Sequence, residues 1–390
     1  MSTNRTGVSR PGYYEACLPL AAAWKDQRPA RQARSHLDPA DFEALRDAGF
    51  LRSVVPEALG GFWRDAATSA RPVAETLRLL AGADPAVALV SAMHPSVVGF
   101  WLLTPDESQP QWEAQRQAVF ASAAAGEQWG TVTSEPGSGG DITRTRATAT
   151  PVEAGSTLVG RSYALRGDKH FGSGPGITQR MVTTAVPDGE DEPRMFVIDT
   201  RAWQPPGTPE MAVVAEWDGV GMAATQSHAI RLDGVPAVRL EYDGPLSTVT
   251  ARSGAVTATL FTSVILGILD EAVATTRPRV AARADDLRAY EQVEWTRAIT
   301  EHWLAVQAYE GALRAVESDA PDARLAALLA KQSVAELAES ALGRLSRVIG
   351  GSAYSRRSPF AHWYEDVRAL GFLRPPWALA FDNLFALSLA

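Results

Sequence analysis

The sequence has very few of the residues that build disulfides, zinc sites and basic surfaces. Cys17 is the single cysteine in 390 residues, so neither an intrachain disulfide nor a CxxC motif can form. The six histidines lie far apart without HExxH spacing, which predicts that no metal is bound. Only three lysines stand among 37 basic residues, and the net charge is −8. This balance argues against nucleic-acid binding, which needs a basic stripe.

Long apolar runs and an apolar N-terminal signal are also missing. No uninterrupted apolar stretch reaches the ~18 residues that a membrane-spanning helix needs. The first residues, MSTNRTGVSRPGYYEA, are polar. We therefore expect a cytoplasmic protein without a membrane partner. Hydrophobic residues make up 46% and charged residues 21%, which is typical of a folded globular chain.

The character of the sequence changes twice along the chain. Residues 1–125 show helical spacing of apolar residues, broken by Gly and Pro turns. Residues 126–245 contain short β-branched runs between Gly, Pro and Asp turn signals, which predicts an antiparallel barrel or sandwich. Residues 246–390 return to long Ala/Leu-rich segments, three long and one short, typical of a helical bundle. The predicted fold class is α+β.

One segment at the start of the β region is suited to a flat, polar ligand. Residues 132–141 read VTSEPGSGGD. Hydroxyls of Thr131, Thr133 and Ser134 lie on a strand edge, and Gly139 lets the backbone approach a ligand without a Cβ clash. Taken alone, this pattern favours a plain Ser/Gly-rich hairpin that binds nothing.

In company with other segments, this run resembles the acyl-CoA dehydrogenase superfamily. It is similar to the family's Thr-Glu-Pro-Gly-x-Gly-Ser-Asp signature, and further segments resemble the family in the same order: residues 55–61, 167–173, 217–227, 349–351 and 364–368. The resemblance covers nearly the whole chain. It implies an acyl-CoA dehydrogenase-like fold with an N-terminal helical domain (1–125), a central antiparallel β domain (126–245) and a C-terminal helical bundle (246–390).

The resemblance also implies a flavin site in the β domain. Thr131, Thr133, Ser134 and Gly139 would meet the isoalloxazine ring through hydroxyls and backbone. Phe171 stands where the family has an aromatic residue against the flavin, although a core aromatic fits the pattern equally well. Ser173 stands where a Thr or Ser hydroxyl contacts N5 or O4. Hydrogen-bond donors around the ring tune the electronics of such a cofactor.

A second set of residues would serve the distal end of the cofactor. Gly350 and Gly351 stand where family members bind the FAD of a neighbouring subunit, which implies a homodimer or homotetramer; the alternative is a helix C-cap. The family's pyrophosphate-binding arginine has no exact counterpart, because Arg288 is offset from its position by one residue. Arg347 is a candidate to replace it. FAD is the expected cofactor and FMN the alternative.

The sequence departs from the family at the catalytic base. Desaturases of the family use a glutamate, which in one branch falls at the position of Arg374 and in the other within residues 253–260. Arginine stays protonated and cannot act as a base, and residues 253–260 contain no carboxylate. The Ser of the Gly-Ser-Asp run is Gly140 here. Both departures disfavour thioester desaturation.

Three functions remain open at this point. The first is an FAD-dependent dehydrogenase or oxidase of an acyl thioester with a relocated base. The second is a two-component monooxygenase of another small metabolite, supplied by a separate flavin reductase. The third is a non-catalytic scaffold. His94 is the candidate to position substrate in the second case, with a structural histidine bonded to the backbone as its alternative, and Arg374 is the candidate to bind an anionic group.

Overall fold

The computed structural model describes residues 10–153, 158–373 and 375–389. Helices come first, strands follow, and helices close the chain, which confirms the predicted α+β class. The described elements are α1 (Gly12–Asp26), α2 (Arg28–Gln32), α3 (Pro39–Asp47), α4 (Ala66–Ala83), α5 (Pro85–Leu102), α6 (Pro110–Ala124), β1 (Trp129–Thr131), β2 (Thr148–Pro151), β3 (Ser162–Gly172), β4 (Arg180–Pro187), β5 (Arg194–Asp199), β6 (Met211–Ala215), β7 (His228–Arg239), α7 (Leu246–Ala281), α8 (Ala289–Glu317), α9 (Ala323–Ile349), α10 (Pro359–Gly371) and α11 (Trp377–Ser388).

Aspartates fix where the N-terminal helices begin. The side chain of Asp38 accepts a hydrogen bond from Ala40 N at the start of α3. Asp84 accepts from Val87 N at 3.0 Å and so caps α5 directly after α4 ends. Such caps satisfy backbone N–H groups that have no partner inside the helix. The chain can therefore turn sharply between two long helices.

The strands close into a ring. β2 pairs with β3, β3 with β7, β7 with β5, β5 with β4, and β4 with β2. The sequence predicts an antiparallel sheet, and most pairs are antiparallel. Two pairs differ, because β4 runs parallel to both β1 and β2. Long connections separate these strands in the chain, and parallel pairing requires such connections.

The bundle ends in two helices where the sequence predicts one short terminal segment. α10 ends at Gly371 and α11 begins at Trp377. Pro375 and Pro376 lie between them, and proline cannot continue a helix without losing a backbone hydrogen bond. The resulting loop, residues 372–376 with position 374 outside the described residues, is called the terminal loop below.

The two helical parts share one hydrophobic core, in which α5 and α7 are central. By length and composition both helices could cross a membrane, but 100% and 83% of their most apolar windows are buried. Both are therefore helices of the hydrophobic core. α7 approaches α4 very closely at Gly267, where an added Cβ would lie 2.1 Å from Arg78 O.

Gly267→Ala tests this close crossing. We expect a loss of about 1–3 kcal/mol in the free energy of unfolding, because α4 and α7 must separate to admit the methyl group. Gly254→Ala is the matched control, since no atom lies within 4 Å of the Cβ it would add in the same helix. The control should gain about 0.5–1 kcal/mol from helix propensity. Equal effects in urea denaturation would contradict the assigned crossing.

Candidate functional site

A buried ion pair links the 132–141 segment to strand β3. Lys169 Nζ donates to Glu135 Oε1 at 2.6 Å and to Thr184 O at 2.6 Å. The other carboxylate oxygen of Glu135 accepts from Arg146 N at 2.7 Å. The Lys169 side chain is 0% exposed and that of Glu135 3%. The hairpin after β1 is thus fixed against β3, and His170 N donates to Ser134 O at 2.8 Å beside the pair.

Each member of this pair stabilises the charged form of the other. Burial alone would raise the pKa of Glu135, but hydrogen bonds from Lys169 and Thr145 outweigh burial and hold that pKa below its usual range. Burial lowers the pKa of Lys169, and the contact with Glu135 offsets part of that shift. Glu135 therefore has no free oxygen in a state to accept a substrate proton. It is a structural anchor.

The glycines after Glu135 form a turn that only glycine adopts readily. Gly137, Gly139 and Gly140 have φ of 78°, 65° and 83°, in the left-handed region. A Cβ on Gly139 would meet no atom within 4 Å, so open space lies beside its backbone. A Cβ on Gly140 would lie 2.5 Å from Pro376 Cγ. Glycine at 140 is required because the terminal loop packs directly onto this turn.

Lys331 of α9 holds the terminal loop in place. Its Nζ donates to Gly371 O at 2.6 Å and to Pro375 O at 3.0 Å, which lie at the two ends of the loop. The ammonium also lies 5.4 Å from the centre of the Trp377 ring. Burial lowers the pKa of Lys331 to about 8. Sequence reasoning missed this residue, because nothing in the pattern of α9 distinguishes it from a surface lysine.

Phe171 projects outward at an irregularity in β3. The register with β7 shifts between Lys169 and Gly172, and Phe171 has φ of 61°. Its side chain is 49% exposed and meets the edge of Trp217, with 6.0 Å between ring centroids. A non-glycine residue in the left-handed region is uncommon and is found at functional sites. The core-aromatic alternative for Phe171 is therefore excluded.

Three hydroxyls form a continuous chain beside Phe171. Ser173 Oγ lies 2.7 Å from Ser227 Oγ, and Ser227 Oγ lies 2.8 Å from Thr225 Oγ1. Thr225 Oγ1 in turn donates to Met222 O at 2.8 Å. Ser173 lies just after β3, and the other two lie in the 222–227 loop before β7. Tertiary packing brings these separate segments together.

The bundle positions the 222–227 loop. Asp366 of α10 accepts a hydrogen bond from Met222 N at 2.7 Å. Burial raises the pKa of Asp366 to about 7. Gly221 packs so closely on α10 that a Cβ there would lie 2.2 Å from Glu365 O. The sequence places Asp366 in a family-like segment, but its contact with a loop 144 residues earlier appears only in the folded chain.

His94 lies in the core and not at a ligand surface. It is 0% exposed, its Nε2 lies 2.9 Å from Leu51 O, and its Nδ1 accepts from Trp129 N at 3.1 Å. Burial lowers the pKa of His94 to about 4, so the ring is neutral. Both ring nitrogens are engaged by backbone. The geometry matches a structural histidine and gives no support to the catalytic role that the sequence suggests.

The other site residues that the sequence predicts lie apart from the hydroxyl chain, or outside the residues that the structure describes. Arg347 Nη1 contacts Glu294 Oε2 at 2.8 Å, and the arginine side chain is 57% exposed. Gly350 and Gly351 follow the end of α9, and Cβ atoms there would meet nothing within 4 Å. Arg374 lies outside the described residues. Among the described residues, no group of three His, Cys, Asp or Glu side chains could hold a metal ion.

Lys169→Met tests the ion pair as the anchor of the hairpin. We expect a loss of about 3–5 kcal/mol at pH 7, because the charge of Glu135 would stay buried without a partner. Because the fold lowers the pKa of Glu135, the ionised carboxylate stabilises the wild-type fold at pH values above the ordinary pKa of a carboxyl group. This stabilisation is lost as the pH falls through the lowered pKa. In the variant the pKa of Glu135 rises. The difference in the free energy of unfolding between wild type and variant should therefore shrink when it is measured near pH 4.5. The double variant Glu135→Leu/Lys169→Met should lose less than Lys169→Met alone.

Gly140→Ser tests the contact with the terminal loop. We expect the free energy of unfolding to fall by about 1–3 kcal/mol, because the serine side chain collides with Pro376 in addition to straining the backbone. Gly139→Ser is the matched control, because it carries the same backbone strain in open space. Equal losses in denaturant titrations of both variants would show that the terminal loop does not lie on Gly140.

Comparison with known proteins agrees with the fold. Residues 263–374 match the family model "Acyl-CoA dehydrogenase, C-terminal domain". The chain is 27% identical over 354 residues to the amino sugar nitrososynthase DnmZ of Streptomyces peucetius, which covers 86% of this chain and 82% of that protein.

Two solved structures have the same fold over almost their whole length. Butyryl-CoA dehydrogenase from Megasphaera elsdenii superposes with a TM-score of 0.81 at 16% identity, covering 97% of each chain. FMN-bound TdsC from Paenibacillus sp. A11-2, a dibenzothiophene monooxygenase, superposes with a TM-score of 0.77 at 19% identity, covering 95% of this chain and 96% of that chain. The chain therefore resembles flavin-dependent oxidoreductases with the acyl-CoA dehydrogenase fold, and residues 263–374 carry the match to that family.

Proposed function

We propose that this chain is a flavin-dependent monooxygenase that oxygenates the amine nitrogen of a small metabolite of the amino sugar class. The observation that carries this proposal is the state of the carboxylates around the hydroxyl chain. Glu135 is bonded to Lys169 and Asp366 to Met222 N, so both serve the scaffold. A site of this kind can hold a flavin, and it has no carboxylate at either position where desaturases of the family carry their base, since residues 253–260 contain none and position 374 is an arginine.

The residues of the sheet fit an isoalloxazine ring. Phe171 presents an exposed aromatic surface, and the open space beside Gly139 admits a flat group close to the backbone. Thr131, Thr133, Ser134 and Ser173 supply hydroxyls and backbone groups to its polar edge. A reduced flavin bound here supplies the two electrons with which dioxygen is activated. The protein's part is to bind the ring, exclude water and orient the amine.

FMN fits the residues at the end of α9, which are Arg347, Gly350 and Gly351, at least as well as FAD. Arg347, the candidate for the pyrophosphate, is engaged by Glu294 of the same bundle. Glu294 also accepts from Arg344 at 3.0 Å, so its charge is shared by two guanidinium groups. An FAD pyrophosphate at Arg347 would have to compete with this pairing. A single phosphate on the flavin needs no contact with the end of α9.

An amine is an appropriate acceptor for this chemistry. A neutral amine has a lone pair that attacks an activated oxygen atom, with no prior removal of a proton from carbon. One turnover converts the amine, dioxygen and two-electron-reduced flavin into a hydroxylamine, water and oxidised flavin. A second turnover converts the hydroxylamine into a nitroso compound and releases two molecules of water. The similarity to an amino sugar nitrososynthase over 354 residues supports this class of substrate.

The proposal carries further expectations about partners. Reduced flavin would come from a separate flavin reductase, as in other two-component monooxygenases. The apolar residues exposed on the bundle, among them Trp303 and Leu304, support a homodimer or homotetramer. We place the protein in the cytoplasm, where amino sugars and reduced nicotinamides are made.

The other two functions have less support. A thioester desaturase needs a base, and the terminal loop packs on Gly140 where desaturases of the family carry a serine that faces their substrate. A non-catalytic scaffold would not need the exposed Phe171 in a left-handed conformation. The dehydrogenase is an outcome of the experiment below, and a scaffold would give no product there with either substrate.

The oxygenase assay combines the protein, FMN, a flavin reductase with NADH, and a nucleotide-linked amino sugar under ¹⁸O₂. We expect the hydroxylamine to be heavier than the substrate by one ¹⁸O atom and the nitroso product to be heavier by one ¹⁸O atom less two hydrogen atoms. Mass spectrometry measures both differences directly. The matched control substrate carries a hydroxyl instead of the amine and should give no oxygenated product. Reduction of the bound oxidised flavin by an acyl-CoA, with no ¹⁸O incorporated, would replace our proposal by the dehydrogenase.

Phe171→Ala tests the placement of the ring. We expect FMN to bind about three- to tenfold more weakly, because an aromatic contact is worth about 0.5–1.5 kcal/mol. Phe385→Ala is the matched control, since Phe385 is 70% exposed on α11 and has no place in the proposed site. Equal affinity of the two variants in a fluorescence titration would remove Phe171 from the flavin site.

A further inference from the structure

A histidine at the start of β7 holds the backbone of a surface segment. His228 Nδ1 accepts a hydrogen bond from Trp217 N at 2.9 Å, across eleven residues of chain. The histidine is 5% exposed and lies on the same face of β7 as the buried Ile230 and Leu232. Glu216, beside Trp217, is exposed. A buried ring therefore fixes a segment that runs along the surface.

Trp217 in turn supports Phe171. The two rings meet edge to face, with 6.0 Å between their centroids. The indole Nε1 donates to Met222 O at 3.0 Å, an oxygen that also accepts from Thr225 N at 3.1 Å and from Thr225 Oγ1 at 2.8 Å. Phe171 has φ of 61°, and a residue in this strained conformation stays there only when its neighbours hold it. Trp217 is such a neighbour, and its own position depends on His228.

The contact between His228 and Trp217 requires a neutral imidazole. Because Nδ1 accepts from Trp217 N, it carries no proton, and the proton of the neutral ring is on Nε2. An imidazolium carries a proton on each nitrogen and has no acceptor. Its Nδ1–H would face the N–H of Trp217 at hydrogen-bond distance. Protonated His228 therefore cannot hold the segment.

The surroundings of His228 favour the neutral ring. Burial lowers the pKa of His228, and the charge of Glu216 raises that pKa by a smaller amount. Asp218, on the same segment as Glu216, is exposed to solvent. On β3, which pairs with β7, the ammonium of Lys169 is compensated by Glu135. Strand β6, which also pairs with β7, has no charged residue. The ring thus loses its acceptor only under acidic conditions.

We propose that His228 is a positioning residue that holds Trp217 against Phe171 as a neutral imidazole and so makes flavin binding depend on pH. A proton taken up from solvent breaks the contact, and the aromatic side of the flavin site loosens. His228 acts through Trp217, because its own ring lies on the inward face of β7. The proposal rests on the flavin site proposed above and deepens it, since it adds a titratable group that regulates binding there.

His228→Asn and His228→Leu separate the acceptor from the bulk of the ring. The amide oxygen of Asn stands near the place of Nδ1 and accepts a hydrogen bond at any of these pH values, whereas Leu accepts none. At pH 8 we expect full-length His228→Asn to bind FMN as tightly as wild type. His228→Leu should bind FMN about three- to tenfold more weakly, the usual effect of one lost hydrogen bond. Fluorescence titration with FMN measures the dissociation constants.

The pH profile of FMN affinity is a readout that a merely structural role would not change. Wild type should bind FMN about three- to tenfold more weakly at pH 5 than at pH 8, because protonated His228 has lost the same hydrogen bond. The phosphate of FMN also titrates in this range, so the affinity of His228→Asn at each pH is the reference. The ratio of the two affinities should be constant at high pH. It should change as the pH falls through the lowered pKa of His228.

Amide hydrogen exchange tests the contact without any flavin. The amide of Trp217 should exchange faster in His228→Leu than in His228→Asn at pH 8, since only Asn supplies an acceptor. His302→Asn is the matched control, because His302 is a partly buried histidine whose Nε2 lies 2.6 Å from Asp270 Oδ1, between α7 and α8. This control should leave both the exchange at Trp217 and the pH profile of FMN affinity as in wild type.

The outcomes distinguish this inference from the proposed function. The same pH profile in wild type and His228→Asn overturns the inference and leaves oxygenation intact, as does equal exchange at Trp217 in the Leu and Asn variants. The expected profile without oxygenation of any amine upholds the inference and removes the proposed substrate. Failure of wild type and every variant to bind FMN overturns the inference together with the flavin site.

Discussion

The ion pair between Glu135 and Lys169 determines where the polar ligand edge of the sheet lies. A carboxylate and an ammonium inside a protein are stable only when each finds partners that replace water. Glu135 finds them on Lys169 and on the backbone of the segment that leads into β2, and Lys169 finds a second one on β4. Three parts of the sheet are therefore tied at one point. The turn after Glu135 and the outward bend at Phe171 both start from it.

From this anchor the site is built by loops that helices hold. Asp366 of α10 fixes the 222–227 loop through Met222 N, and Lys331 of α9 fixes the terminal loop through two carbonyls. Neither residue belongs to the sheet. The bundle thus sets the position of both loops beside the hydroxyl chain and the glycine turn. A sheet alone, with exposed loops, could not hold hydroxyl oxygens within hydrogen-bond distance of each other.

The same arrangement explains how a fold shared with butyryl-CoA dehydrogenase can serve another reaction. The carboxylates that remain around the hydroxyl chain are bonded to the scaffold, and the terminal loop lies on Gly140. In the function that we propose, what persists is a surface of hydroxyls, exposed backbone and the Phe171 ring that binds a flavin. Chemistry that depends on the redox state of a bound ring, and not on a protein base, is compatible with such a site.

The sequence by itself determined the order of helices and strands, the glycine turn and the residue types at Phe171 and Ser173. These features depend on local periodicity and on backbone conformations that few residues adopt. It did not determine the parallel pairing of β4, because pairing partners are distant in the chain. Only the tertiary structure decided that His94 is enclosed by backbone groups and that Lys331 and Asp366 hold loops. The contacts among Ser173, Ser227 and Thr225 were also decided there, because these hydroxyls belong to two segments that only the packing of the folded chain brings within hydrogen-bond distance.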